Sequence, residues 1–152
     1  MTIVVDLGCM DRPPHASLPE LARAYKPDLI YGFDPSPLLD TSVTDVDGTP
    51  VRLVRSAAWT RTGAIGFREW GIYSYVGCGG ITVPCFNFSH WLNLHGPCVV
   101  KMDVEGAEYQ LLEQIVDDGT DDNIVELLIE WHDEPDARLL AALRCPVKEW
   151  WL

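Results

Sequence analysis

The run Val99-Val100-Lys101-Met102-Asp103-Val104-Glu105-Gly106-Ala107-Glu108 delivers three carboxylates to the end of an apolar stretch. A second apolar stretch, Ile124 to Trp131, is interrupted only by Glu126 and Glu130 and is followed by His132. Apolar runs carrying β-branched valines fit buried strands of a parallel α/β sheet, and such sheets bind ligands at the carboxyl ends of their strands. A histidine leaving a strand beside an acid can take the proton of a hydroxyl, because imidazole titrates near neutrality. Asp103, His132 and Glu130 are therefore the candidate catalytic residues, with Glu105 lining the same side. The same three could hold a hard divalent ion such as Mg²⁺, but no metal is assigned, since carboxylates converging at a sheet edge are commoner than metal sites there. A structural reading competes. Asp103 and Glu105 would be solvated loop acids, Glu108 would favour a helix N-terminus through the dipole, and His132 would lie on the surface. Lys101 precedes Asp103 by two residues and points to the same side of the strand, which suits an ion pair between them.

The elements that must position these residues alternate between strand and helix, the signature of a parallel sheet. Thr2 to Leu7 is a strand ending at Asp6-Leu7-Gly8. After a loop with Pro13 and Pro14, Ser17-Leu18-Pro19-Glu20 has the form of a capping box opening a short helix that Lys26-Pro27 stops. Leu29 to Phe33 is the second strand, ending at Asp34-Pro35, and Val51 to Ala58 the third. Thr62-Gly63 predicts a turn after which Ala64 to Trp70 pairs back as a hairpin arm. Ile81 to Cys85 is a further strand, and Ser89 is placed to cap a short helix through Leu94. A strand at 98–102 leads into a helix from Ala107 to Val116, whose Ala107, Leu111, Leu112 and Ile115 share one apolar stripe. Ile124 to Trp131 is a strand, 136–144 a helix, and Val147 to Leu152 a final strand.

A chain of 152 residues, 47% hydrophobic and 22% charged, has the size and composition of one globular domain spanning 1–152. Its net charge of −12, with only 11 scattered lysines and arginines, argues against binding nucleic acid or an anionic membrane. No apolar stretch is long enough to span a bilayer and no signal-peptide pattern follows Met1, so a cytoplasmic location is expected. Cys9, Cys78, Cys85, Cys98 and Cys145 are odd in number and widely spaced, as expected of reduced thiols. Cys78, Cys85, His90 and His95 lie near one another, but at no standard zinc spacing.

The segments VVDLG (4–8), YGFDPSP (31–37), RSAAWTRTGAIGF (55–67), ITVPCFNFSHWL (81–92), VVKMDVEGAEYQLL (99–112) and ELLIEWH (126–132) resemble, in this order, FkbM-type methyltransferases. The resemblance implies a Rossmann-like class I methyltransferase fold, a mostly parallel sheet of strand order 3-2-1-4-5 plus an edge strand. It also implies S-adenosylmethionine as cofactor and a sugar or related hydroxyl as methyl acceptor. On this resemblance Asp6 and Gly8 end the first strand against the cofactor. Asp34 would accept the ribose hydroxyls, lying 26 residues after Gly8 where nucleotide-binding folds typically use about 20. Ala58 and Trp59 would meet the adenine, where Trp59 either stacks on the base or caps the sheet edge, and Asp103 would stand beside the sulfonium.

The chain departs from the family at the turn after the first strand. Members usually carry a DxGAxxG-like turn, whereas here Cys9-Met10-Asp11-Arg12-Pro13-Pro14-His15 follows Gly8. Two prolines remove backbone donors that would meet the methionyl carboxylate. Either Arg12 replaces them through a guanidinium–carboxylate pair, or the pocket has decayed and the chain is a catalytically inactive methyltransferase-like binding or assembly module. A nucleotide-binding enzyme of another chemistry, such as a dehydrogenase, is disfavoured by the lack of G-x-G-x-x-G. Without helices before the first strand, the site is expected to be open, which suits a large or polymeric acceptor or completion by another chain; a small-molecule or glycan acceptor is expected as the partner. The Trp150-Trp151 pair would then be covered by a homodimer or partner chain, or would fold back onto the helix at 136–144.

Overall fold

The computed structural model describes residues 1–10, 16–70, 73–76 and 80–150. Arg12 and Trp151 lie outside the described residues, as does Cys78. The chain forms an α/β structure around a seven-stranded sheet. Its strands are β1 (Ile3–Leu7), β2 (Leu29–Asp34), β3 (Asp45–Val46), β4 (Thr49–Arg55), β9 (Cys98–Met102), β10 (Ile124–Ile129) and β11 (Val147–Glu149). They lie side by side as β11-β10-β9-β1-β2-β4-β3, and every pairing is parallel except the short β3–β4 ribbon. β1 is thus central, with β2 on one side and β9 on the other, the order expected for the parallel strands and compatible with a Rossmann-like fold.

Alternation along β1 divides its side chains between two cores. Ile3, Val5 and Leu7 join Val100, Met102, Leu127 and Ile129 on one face. That face is covered by α2 (Phe88–His95), α3 (Glu108–Asp118) and α4 (Ala137–Ala142), with Leu111, Leu112 and Ile115 of α3 buried against it. Each such side chain contributes roughly 1.5–3 kcal/mol of transfer free energy. Val4, Ile30, Val99 and Leu128 face the other way, under Leu18 and Leu21 of α1 (Ser17–Tyr25) and Leu39. Trp150 packs on this second core rather than on α4, whose Leu139 belongs to the first.

A second sheet contains β5 (Ala57–Trp59), β6 (Gly63–Trp70), β7 (Tyr73–Val76) and β8 (Ile81–Asn87), in the order β5-β8-β6-β7. This corrects two expectations. The third strand does not run through to Ala58, because the Ser56 amide turns back onto the Val54 carbonyl (3.0 Å) and the Ser56 hydroxyl donates to the Pro84 carbonyl (3.2 Å). The arm at 63–70 does not pair back onto the third strand either. β8 lies between β5 and β6, so that Ala57, Phe67, Val83 and Cys85 close a small core. Phe86 of β8 packs on Phe33 of β2 with ring centroids 4.4 Å apart, joining the two sheets.

Two helix caps also differ from expectation. Ser17 is the first residue of α1 and its hydroxyl donates to Asp6 (2.5 Å), so no capping box forms. Pro19 still falls in the first turn, where its missing N–H costs nothing. α2 is capped by Asn87, whose side chain accepts from the His90 amide (2.9 Å), while Ser89 donates to Asp118 (2.7 Å). Cys9, Cys85, Cys98 and Cys145 are unbridged and buried, and burial pushes the Cys98 thiol up to about 12. No helix among the described residues is long and apolar enough to cross a membrane.

Gly8 is the tightest point of the fold. Its φ is +82°, and a Cβ built there would stand 1.7 Å from the Asp103 carbonyl oxygen. Gly106 also has a positive φ, +97°, but a Cβ there meets nothing within 4 Å. Gly8→Ala is expected to cost about 3 kcal/mol or more, and Gly106→Ala only the backbone strain of about 1–2 kcal/mol. Urea denaturation of the two variants checks the difference.

Candidate functional site

The carboxyl edge of the central strands is built on a buried ammonium. Lys101 and Asp6 are register partners on β9 and β1, and both are fully buried. Lys101 Nζ lies 3.1 Å from Asp6 Oδ1 and 3.2 Å from Asp103 Oδ2, and donates to the Gly8 carbonyl at 3.0 Å. Removing an ammonium from water costs several kcal/mol, which two carboxylates and a carbonyl offset here. Asp6 also accepts the Ser17 hydroxyl, so one cluster ties α1, β1 and β9 together. The Gly8 amide donates to the Phe33 carbonyl (2.9 Å) and the Asp103 amide to the Leu7 carbonyl (3.0 Å), extending the pairing past the strand ends.

Beyond β9 the chain turns sharply through Glu105 (φ 52°) and Gly106 (φ +97°) into α3. Glu108 is fully buried and accepts the Val104 (3.0 Å) and Gly106 (2.9 Å) amides, satisfying donors that precede the helix. Its Oε1 also lies 2.9 Å from His132 Nδ1. On the other side of the ring, His132 Nε2 stands 3.2 Å from Glu105 Oε2 and 3.5 Å from Asp103 Oδ1. The hydrogen bond to Glu108 is the main cause that pushes His132 up to about 9 against the opposing effect of burial. At neutral pH the imidazole therefore carries a proton and is the cation of this cluster. Burial raises Glu105 and Glu130 above the usual carboxylate range, and Asp103 adds repulsion to both.

Thus Asp103, Glu105, Glu108 and His132 come together, because β9 and β10 are parallel neighbours with Met102 opposite Ile129. Glu130 leaves the same edge, its amide donating to the Met102 carbonyl (3.0 Å). Asp34 lies across β1, at the end of β2. It is 9% exposed and accepts the Ser36 (2.8 Å) and Met10 (3.2 Å) amides, yet burial outweighs these bonds and pushes it up to about 6. Gly8 separates the two groups. Asp6 is enclosed beneath the edge with Lys101 rather than presented on it. Ala58 is buried against the first core and Trp59 half-buried beside it.

Two contributions escaped sequence reasoning. Lys101 was expected to pair with Asp103, but its second carboxylate, Asp6, became evident only from the β1–β9 register. Glu108 has the sequence signature of any acid in a first helical turn. Its contact with His132 depends on where β10 ends.

Compared with known proteins, the chain matches no family model, no curated protein and no solved structure.

Lys101→Met would leave Asp6 and Asp103 without their ammonium. It is expected to cost about 3–5 kcal/mol at neutral pH, and adding Asp6→Asn should return part of that loss. Chemical denaturation of the single and double variants measures both effects. An unchanged midpoint in Lys101→Met would refute the role given to the lysine.

Proposed function

We propose that this chain binds S-adenosylmethionine across the carboxyl end of β1 and methylates a hydroxyl of a small-molecule or glycan acceptor, as FkbM-type methyltransferases do. The observation that carries this reading is the placement of Asp34. A carboxylate is held at the end of β2 despite an unfavourable burial, on the far side of Gly8 from the acids that follow β9. Two backbone amides fix its orientation, leaving lone pairs for the paired hydroxyls of a ribose.

The donor set fits the rest of the cofactor in charge. Asp103, Glu105, Glu108 and Glu130 outnumber His132 at the edge, which favours a sulfonium cation there. Ala58 and Trp59 would border the adenine, and Arg12 would meet the methionyl carboxylate. Asp6 acts through Lys101, holding the Gly8 carbonyl and Asp103 in place. When bound, the cofactor supplies an electrophilic methyl group. The acceptor hydroxyl must lose its proton as its oxygen takes that methyl. Asp103 would receive the proton, and protonated His132 would hold Asp103 and Glu105 by ion pairing. A net charge of −12 favours a neutral or cationic acceptor over a nucleic acid.

Titration calorimetry with S-adenosylhomocysteine tests the reading, with binding expected at pH 8. Because the ribose needs ionised Asp34, affinity should be full well above about pH 6, about halved near that value and lower still as pH drops below it. Asp34→Ala should weaken binding by about 2 kcal/mol, roughly thirtyfold. Absence of binding by the wild-type chain would overturn the proposal, and unchanged affinity in Asp34→Ala would remove that residue from the site.

A further inference from the structure

We propose that Asp103, Glu105 and His132 form a binding site for a first-row divalent metal ion of the Mn²⁺ type, with Glu108 as the outer carboxylate that aims the imidazole. Among the described residues, these three bring one ligand atom each within 4.8 Å of one another, and Glu130 does not join the group. His132 Nε2 is 3.2 Å from Glu105 Oε2 and 3.5 Å from Asp103 Oδ1. Ligand atoms about 2.1 Å from an ion stand roughly 3.0 Å apart at right angles and about 3.4 Å apart in a tetrahedron, so both separations suit one shared cation.

The imidazole is already set for this task. Its Nδ1 side is engaged by fully buried Glu108, itself fixed by two backbone amides, so Nδ1 keeps its hydrogen and it is the Nε2 proton, facing the two carboxylates, that an incoming ion displaces. Metal-bound histidines almost always carry such a carboxylate, carbonyl or water on their other nitrogen. In the ion-free chain a proton on Nε2 balances the two carboxylates, and a divalent ion that displaces it takes the same position between the three ligand atoms. Two carboxylates and one imidazole suit manganese, iron or zinc better than magnesium, which prefers oxygen alone. The side chains of Asp103, Glu105 and His132 remain 14%, 28% and 21% exposed, which leaves coordination positions open. A hydroxyl oxygen of the acceptor taking one of them would be acidified by the ion. That role rests on the methyl-transfer reading, whereas the binding site stands on the geometry alone.

The test is titration of the chelator-treated chain with Mn²⁺, followed by loss of the free-ion electron paramagnetic resonance signal. One equivalent should bind, and the ring protons of His132 should broaden in nuclear magnetic resonance spectra. Glu105→Gly is the cleanest variant, because its φ of 52° suits glycine and the fold should persist. It should weaken Mn²⁺ binding at least about tenfold, and Glu108→Gln about 10–100-fold, with circular dichroism confirming that both are folded. An undiminished free-ion signal with the wild-type chain would overturn the site, as would equal affinity in Glu105→Gly. S-adenosylhomocysteine binding, measured separately in chelator, distinguishes the two ideas. Its absence alongside Mn²⁺ binding defeats the methyl-transfer reading only, and its presence without Mn²⁺ binding defeats the metal site only.

Discussion

A buried ammonium group dictates the form of the whole carboxyl edge. Lys101 lies at the centre of a parallel sheet with no exposed surface, so it needs carboxylates within about 3 Å from neighbouring segments. Asp6 supplies one from the opposite register position, and Asp103 supplies the other from just past the strand. The two loops are thereby drawn together until the Gly8 backbone meets the Asp103 carbonyl, which is why that position requires glycine. In a dinucleotide-type turn the glycine makes room for a ligand. Here its first neighbour is the protein's own backbone.

The edge is then divided electrostatically by β1. On the β2 side stands one carboxylate, Asp34, whose ionisation burial opposes. On the β10 side stand several, held in check by Lys101 below and His132 above. The two cations differ in kind. Lys101 is sealed in and serves the fold, whereas His132 is partly open and is charged only while its imidazole is protonated. The edge thus has a sealed inner cation and a partly open outer one.

Much of this was legible in the sequence. Runs such as Val99–Met102 and Ile124–Ile129 announce buried parallel strands, and residues just beyond adjacent strand ends must become neighbours, so Asp103 and His132 could be paired before any coordinates. The second sheet was not legible. Its pairing of 63–67 with 81–85 is non-local, and a glycine turn at Thr62-Gly63 favours the nearer partner unless a distant strand intervenes. The serine caps failed for a related reason. Ser17 and Ser89 have the right local spacing, but Asp6 and Asp118 claim their hydroxyls through tertiary contacts that spacing alone does not encode.

The turn from Asp103 to Glu108 shows how the local and distant demands are reconciled. A chain leaving β9 for α3 needs its unpaired amides satisfied, and Glu108 does this by reaching back to Val104 and Gly106. That reach requires the chain to fold tightly, which places Glu105 in the left-handed region at a cost of about 1–2 kcal/mol. Glycine would relieve that strain at Glu105, and nothing in the backbone hydrogen bonding requires a carboxylate there. Its side chain instead meets His132 Nε2. The strain at Glu105 is thus retained at a residue that the turn itself does not require to be acidic and whose side chain joins the charged cluster.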